Sequence, residues 1–292
     1  MANSIEYAKK FVPVIDRIYK LGSYTSGLDS KTELDFTGVN EVKILKISTT
    51  GLGDYSRTNG YPKGDITVAW ETITLEEERG KELSIDRMDN EETLGMAFGE
   101  VTSQFIKNFV NPELDAYRFA KYASTAGVLT ADAAVLTKDT IIAALDAAIL
   151  AMDNAEVPAE DRVLYMSTNL RPIFGQAVNR SYGGDKAISN VVDNYNGIPI
   201  TYVVPSRFYT GITLNSGETA FGYAKADDAK DINFMLVYKP AVMQAVKFAM
   251  PKVFTPDENQ DKDMWKFQLR IYHDAYIYEN KAAGVYVHKS TT

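Results

Sequence analysis

The chain has two imidazoles, His273 and His288, and acid–base catalysis near neutral pH would look to them first. Neither has the company that work needs. No Gly-x-Ser-x-Gly elbow presents a serine, and no His-Glu-x-x-His pair holds zinc. Cysteine is absent, which excludes a thiolate nucleophile, a cysteine metal site and a disulfide framework. His273 falls on the apolar side of an alternating stretch and reads as a core or edge histidine. Asp257-Glu258-Asn259-Gln260-Asp261-Lys262-Asp263 opens like a calcium loop, with oxygens at its first, third and fifth positions. Lys262 then stands where such a loop needs glycine, and Gln268 where it needs a bidentate glutamate, so the stretch reads as a solvated loop. Gly51 and Gly53 lie outside any strand-to-helix turn, and no Gly-Lys-Ser/Thr occurs, so there is no phosphate cradle. The strand RVLYMS (162–167) is not followed by the glycine turn of a dinucleotide site. Asn179-Arg180-Ser181 fits a glycosylation acceptor, a pattern without meaning where no secretory signal accompanies it. Carboxylates are plentiful, but spacing marks out no pair. A two-carboxylate hydrolase is therefore the reading carried from the enzyme class.

The elements that would position any site come next. The 292 residues, 45% of them hydrophobic, suffice for one large core or two smaller ones. A net charge of −8 argues against gripping nucleic acid through a general field, and no basic-and-aromatic patch offers stacking. The N-terminal stretch is charged throughout and lacks the apolar core of a secretory signal. No apolar run approaches the ~20 residues that span a bilayer. No repeat, low-complexity tract or clean linker is present, so domains are expected to interweave.

The longest element runs from about Asp86 to Ser124. Leu94, Phe98, Val101, Phe105 and Phe109 recur at helical spacing. Asp89 and Glu92 have the spacing of a capping box, Pro112 predicts a kink or short break, and the whole would be about 50 Å long. Ahead of it, Ile5, Ala8, Val12, Ile15 and Tyr19 form a short stripe interrupted by Pro13, followed by a Gly/Ser/Thr-rich loop. This is either an arm or an ordinary first helix. Residues 39–49 and 65–75 read as strands of an extended hairpin with a turn-rich tip. A hairpin of that length is marginal alone and needs something to lie on. Lys43 and Lys46 alternate with apolar residues, as at a guarded strand edge. Glu76-Glu77-Glu78-Arg79 reads as a solvated face. Residues 138–153 predict a helix with Ile142, Leu145, Ile149 and Met152 on one face and Thr137 as its cap. Buried strands are expected at 162–167 and 199–204, with a short helix between them carrying Pro172 in its first turns. After a strand at 233–238, the segment 265–280 alternates, with Phe267, Leu269, Ile271, Ala275 and Ile277 facing one way. VYVH (285–288) is expected to complete a hairpin with it, and the long helix to cover its apolar face.

In this order the parts resemble a known family. DYSRTNGYPKGDITVAWET, ERGKELSIDRMDNEET, PELDAYRFAKYAS and WKFQLRIYHDAYIYENKAAGVYVH are similar to stretches of tailed-phage and prophage major capsid proteins of the Hong Kong 97 type. The resemblance covers nearly the whole chain and is strongest over 40–125 and 232–288. It implies an α+β fold with an N-terminal arm (1–36), an extended hairpin loop (37–85), a peripheral domain of spine helix and long strands (86–130 and 235–292) and an inserted α/β axial domain (131–234). It further implies a structural protein, not an enzyme. Such a protein self-assembles as pentamers and hexamers into an icosahedral shell around double-stranded DNA, in the host bacterial cytoplasm, and ends in the virion. No cofactor, metal or membrane is implied. A portal protein and a separate scaffolding protein are expected partners, the latter because the sequence opens directly on the arm. Contacts between subunits are expected at the hairpin tip, Tyr55, Arg57, Tyr61 and Lys63, and at the acidic run Glu76, Glu77 and Glu78. An encapsulin-type compartment shell is the alternative within the same fold, and a tail or baseplate protein a further one.

Overall fold

A computed structural model describes residues 22–28, 41–58, 60–92, 103–131, 135–178 and 193–291. The first-helix stripe and Leu94, Phe98 and Val101 lie outside the described residues. Strands β1 (Glu41–Thr49) and β2 (Ile66–Thr74) form the expected antiparallel hairpin, in register from Glu41↔Thr74 to Thr49↔Ile66. The chain then turns a corner at Leu75-Glu76 and enters β3 (Glu77–Asp86). Sequence reading did not find this strand. Its inward positions are Glu77, Arg79, Lys81, Leu83 and Ile85, alternating half-buried with exposed, and three charged residues on the inner face hide the two-residue period.

Helix α1 (Arg87–Glu92) follows without a gap. Its cap is Asp86, whose Oδ1 accepts the Met88 N–H at 2.9 Å, while Asp89 sits inside the first turn. The capping box expected at Asp89 is corrected accordingly. Residues 103–124 are continuously helical. The break predicted from Pro112 takes the form of a π turn over Ile106–Val110, closed by Asn111 N–H donating to the Ile106 carbonyl. Helix α2 (Asn111–Ser124) then carries Pro112 directly after the π turn, whose altered hydrogen bonding accommodates the missing N–H. The π turn inserts one residue into the helical period. It therefore rotates the apolar stripe, leaving Phe105 half-buried but Phe109 61% exposed.

Next come β4 (Leu129–Ala131), helix α3 (Ile141–Asn154), β5 (Arg162–Ser167), helix α4 (Arg171–Ala177), β6 (Asn194–Tyr195) and β7 (Ile198–Val203). A small hairpin, β8 (Ile212–Leu214) and β9 (Tyr223–Lys225), precedes β10 (Ile232–Tyr238), β11 (Val242–Phe254), β12 (Met264–Ile277) and β13 (Val285–Lys289). Helix α3 seats Ile141, Leu145, Ala148 and Met152, a face shifted slightly from the one expected. Thr137 opens the turn before the helix, its carbonyl accepting from Ile141 N–H at 2.9 Å, and makes no side-chain cap.

Two sheets organise the body. One is three-stranded, β11-β12-β3, and the other six-stranded, β4-β13-β10-β5-β7-β6. The hairpin expected between 265–280 and 285–288 is corrected here. A turn of 3-10 helix at Glu279–Gly284 carries the chain out of β12 and into the other sheet, where β13 lies antiparallel to β10 and parallel to β4. The expected boundary at 234/235 thus falls inside β10. The six-stranded sheet is covered on both faces, which is why every residue of β5 is buried. On one face Leu164, Phe234, Leu236 and Tyr286 pack with Leu145, Met152 and Phe174 of the two helices. On the other, Val163, Tyr165, Met235 and Val287 meet Phe119 and Tyr122 of α2 together with Val242 and Ile277.

Candidate interaction surface

The hairpin β1–β2 has two unlike faces, because directly paired residues point the same way. Ile44 and Ile73 pack against Met243, Tyr276 and Tyr278, and Lys46 pairs with Glu279. That face lies toward the chain's own body. The opposite face carries Leu45↔Trp70, Ile47↔Val68 and Thr49↔Ile66. It points away, with Leu45 45%, Ile47 56%, Ile66 72%, Val68 57% and Trp70 65% exposed. A contiguous apolar patch of this kind marks an association surface. Alternation made both strands legible, but periodicity does not say which face meets the chain's own body.

At the tip, Ser56 and Gly60 exchange backbone hydrogen bonds of 3.1 and 2.7 Å across a tight turn, with Gly60 at φ +81°. The turn brings the Tyr55 and Tyr61 rings to 5.0 Å, and Arg57 and Lys63 are exposed beside them. Of the four expected tip residues, the structure therefore joins the two tyrosines and leaves both cations solvated.

The acidic run is engaged within the chain. Glu76 accepts from Lys121 Nζ at 2.8 Å, and Glu78 pairs with Arg270. Glu77 turns inward, where burial and then the nearby Asp274 raise its carboxyl above the usual range. Asp274 organises this corner from a fully buried site. Its Oδ1 accepts Tyr117 OH at 2.8 Å, and its Oδ2 accepts Glu76 N–H at 3.1 Å and Tyr276 OH at 2.5 Å. Tyr272 OH donates to the Leu75 carbonyl at 2.8 Å, and the Tyr276 hydroxyl, whose single proton is shared between two acceptors, also lies against the Thr74 carbonyl. The hairpin therefore leaves the body from a fixed root.

A second buried carboxylate, Asp115 on α2, holds the segment 22–28. Its Oδ1 accepts Ser23 Oγ and Thr25 Oγ1, each at 2.7 Å, and Thr25 N–H at 3.2 Å; its Oδ2 accepts Tyr24 N–H at 3.0 Å and Arg207 Nη1 at 3.1 Å. Arg118 Nη1 donates to Thr25 Oγ1 at 2.8 Å, and Leu28 enters the main core. Sequence reading missed both anchors. For Asp115 a signal existed, since it lies four residues before Phe119 and seven before Tyr122, on the apolar stripe itself.

Both histidines are core residues. His288 stacks on Phe234 at 4.8 Å, and His273 meets Tyr117 edge-on at 5.2 Å with no partner at its Nδ1. Burial, helped by the Arg118 and Arg79 guanidiniums, pushes His273 down to about 4. A folded pKa below the unfolded value of about 6.5 means that the unfolded chain binds the extra proton first. The stabilisation is thus complete above pH ~6.5 and lost as pH falls toward about 4. Unfolding free energy is expected to drop by roughly 3 kcal/mol across that window, and His273→Leu to flatten the slope in urea titrations. In the loop at 257–263 Glu258 accepts from the Thr255 N–H and hydroxyl, each at 3.0 Å, and the three aspartates face cations. Asp257 and Asp263 face Arg87 at 3.6 and 3.7 Å, and Asp261 holds Lys266 at 2.8 Å. Among the described residues no cluster of His, Cys, Asp or Glu is placed to hold a metal, and no helix is long and apolar enough to cross a membrane.

Solved structures share this architecture from end to end. A structure from Mycobacterium phage Che8 superposes with a TM-score of 0.68 at 11% identity, covering 98% of each chain. The mature capsid of bacteriophage PhiM1 gives 0.69 at 13% identity, over 98% of this chain and 93% of that one. The capsid of an empty GTA particle gives 0.58 at 10%, over 98% and 96%. The chain has the fold of phage capsid subunits. No protein-family model and no curated protein matches it. At these identities the capsid-subunit fold rests on the path of the backbone, and the α+β class and long helix expected from the resemblance are both present in it.

Proposed function

We propose that this chain is the major capsid protein of a tailed phage or prophage, building an icosahedral shell from pentamers and hexamers around double-stranded DNA. The observation that carries this reading is the outward hairpin face, five large apolar residues that the described part of the subunit leaves uncovered. On a capsid-subunit fold, the surface that covers them is another copy. An isolated enzyme would have no use for it. The large cavity beside α2 has one carboxylate, Glu113, and that is held by Arg79 at 2.6 Å, which disfavours a two-carboxylate hydrolase. The negative balance of the chain suits a container that encloses DNA without sequence-specific grip.

In this reading 1–36 is the arm, 37–85 the overlapping loop, 86–130 with 235–292 the peripheral domain and 131–234 the axial domain. The six-stranded sheet then joins the last two through β10 and β13. Tyr55, Arg57, Tyr61 and Lys63 at the tip, with Glu76, Glu77 and Glu78 at the root, are the proposed contacts. Portal and scaffolding proteins are the proposed partners, and the virion the destination.

Expression of the chain, alone and with its neighbouring genes, followed by size-exclusion chromatography and negative-stain microscopy, tests the reading. Closed shells or five- and six-membered rings are expected. A monomer that persists under both conditions would overturn it. Joint charge reversal at Glu77 and Glu78 is expected to lower particle yield; an unchanged yield removes the pair from the contact set.

A further inference from the structure

An apolar slot of about 310 Å³ lies between the start of the spine helix and the β3–β12 pair, walled by Leu83, Phe105, Val110, Leu269 and Ile271. Small-molecule sites begin at about this size, roughly 300 Å³, and an engineered apolar cavity of roughly 150 Å³ already admits benzene. The slot follows β3 from Arg79 to Leu83, a run of about 13 Å at ~3.3 Å per residue. That shape fits an unbranched chain better than a ring system. Four of its lining side chains can carry charge, and three of them are accounted for. Glu113 accepts from Arg79 Nε at 2.6 Å and from Nη2 at 3.3 Å, and the same guanidinium donates to the Asn215 and Gly222 carbonyls at 2.8 and 3.3 Å. His273 is buried, and burial keeps its imidazole neutral at neutral pH. Lys81 is the fourth. Among the described residues no carboxylate pairs with it; its ammonium lies 3.5 Å from the centre of the Phe221 ring, at a mouth that the exposed Phe109 and Phe221 leave open.

We propose that this slot binds a medium-chain fatty acid, its alkyl chain laid along β3 and β12 toward Leu83 and its carboxylate on Lys81 Nζ at the mouth. The polarity is that of a receptor for a chain ending in an anion: apolar walls, an ion pair already closed on itself, and one cation left over. The site lies within one subunit, so the inference is separate from the shell reading. A bound chain fills the space between Phe105 on the helix, the strand pair and the loop of Phe221. It thereby ties three elements together and favours the folded subunit by mass action.

Sodium decanoate, kept below the concentration at which it forms micelles, is the probe. Calorimetric titration of the purified chain is expected to show one equivalent bound, and the melting temperature to rise as decanoate is added. Lys81→Gln is expected to weaken decanoate about tenfold or more, the worth of one hydrogen bond to a charged group, and to leave the binding of decanol, which lacks the charge, unchanged. Leu83→Trp, which fills the slot from a half-exposed position, is expected to abolish binding of both. Anionic phospholipid vesicles offer the same chain-and-anion chemistry in a membrane, and flotation with them is expected to leave the chain behind. Decanoate that does not bind, or that binds the parent and Lys81→Gln alike, overturns the proposal. Retention on vesicles overturns the assignment to a free acid. None of these readouts depends on particle formation, so the shell reading stands or falls by its own test.

Discussion

Replacing Asp115 by alanine is expected to cost the subunit about 3–5 kcal/mol, the usual penalty for removing one partner of a buried ion pair. The carboxylate is fully buried and Arg207 is 4% exposed at its side chain, so the guanidinium would remain in the interior without its counter-charge. Four donors of the 23–25 segment would lose their acceptor at the same time, and each buried donor left unsatisfied adds to the loss. The urea midpoint should fall with little change in slope. Limited proteolysis should cut first near Tyr24, since that segment is held from outside and has no sheet partner of its own. Asp115→Asn keeps the shape and some acceptor capacity but leaves Arg207 uncompensated, and is expected to fall between wild type and alanine. A midpoint unchanged in both variants would show that the carboxylate does not hold the segment.

The second large effect concerns assembly alone. Val68→Glu with Trp70→Glu places two carboxylates on the outward face, where both native side chains are more than half exposed. Exposed substitutions of this kind move subunit stability by about 0.5 kcal/mol or less. At a contact between copies, by contrast, each anchor lost costs about 2 kcal/mol or more, repeated at every copy around a ring. The variant is expected to melt like the parent and yet to form no particles at concentrations where the parent forms them. Parallel thermal melts and sedimentation velocity separate the two effects. Particles at parental yield would mean that the face is solvated in the shell.

Much of this architecture was legible because its strands alternate. The segment 265–277 announced its buried face residue by residue, and Phe267, Leu269, Ile271, Ala275 and Ile277 are all buried. The failures have physical causes. β3 was hidden because Glu77, Arg79 and Lys81 occupy its inner positions, where pairing partners rather than apolarity make burial tolerable. The partner of β13 was mistaken because adjacency along the chain favours a hairpin, whereas Glu279–Gly284 crosses between sheets. The tip residues were read from exposed turn chemistry, but the apolar ridge behind them depends on which face of the hairpin meets Met243. That is a tertiary fact, absent from local pattern.

The position of β13 has a consequence for synthesis. It is an inner strand, flanked by β4 from the first half of the chain and by β10, yet it is synthesised after both of them. Until residue 289 has emerged, β10 lacks one neighbour, β4 has none, and the core on both faces of that sheet stays open. Contacts of such sequence separation form late and slowly. A nascent chain therefore holds this sheet incomplete until β13 has emerged, and capture by finished copies has to wait for that strand.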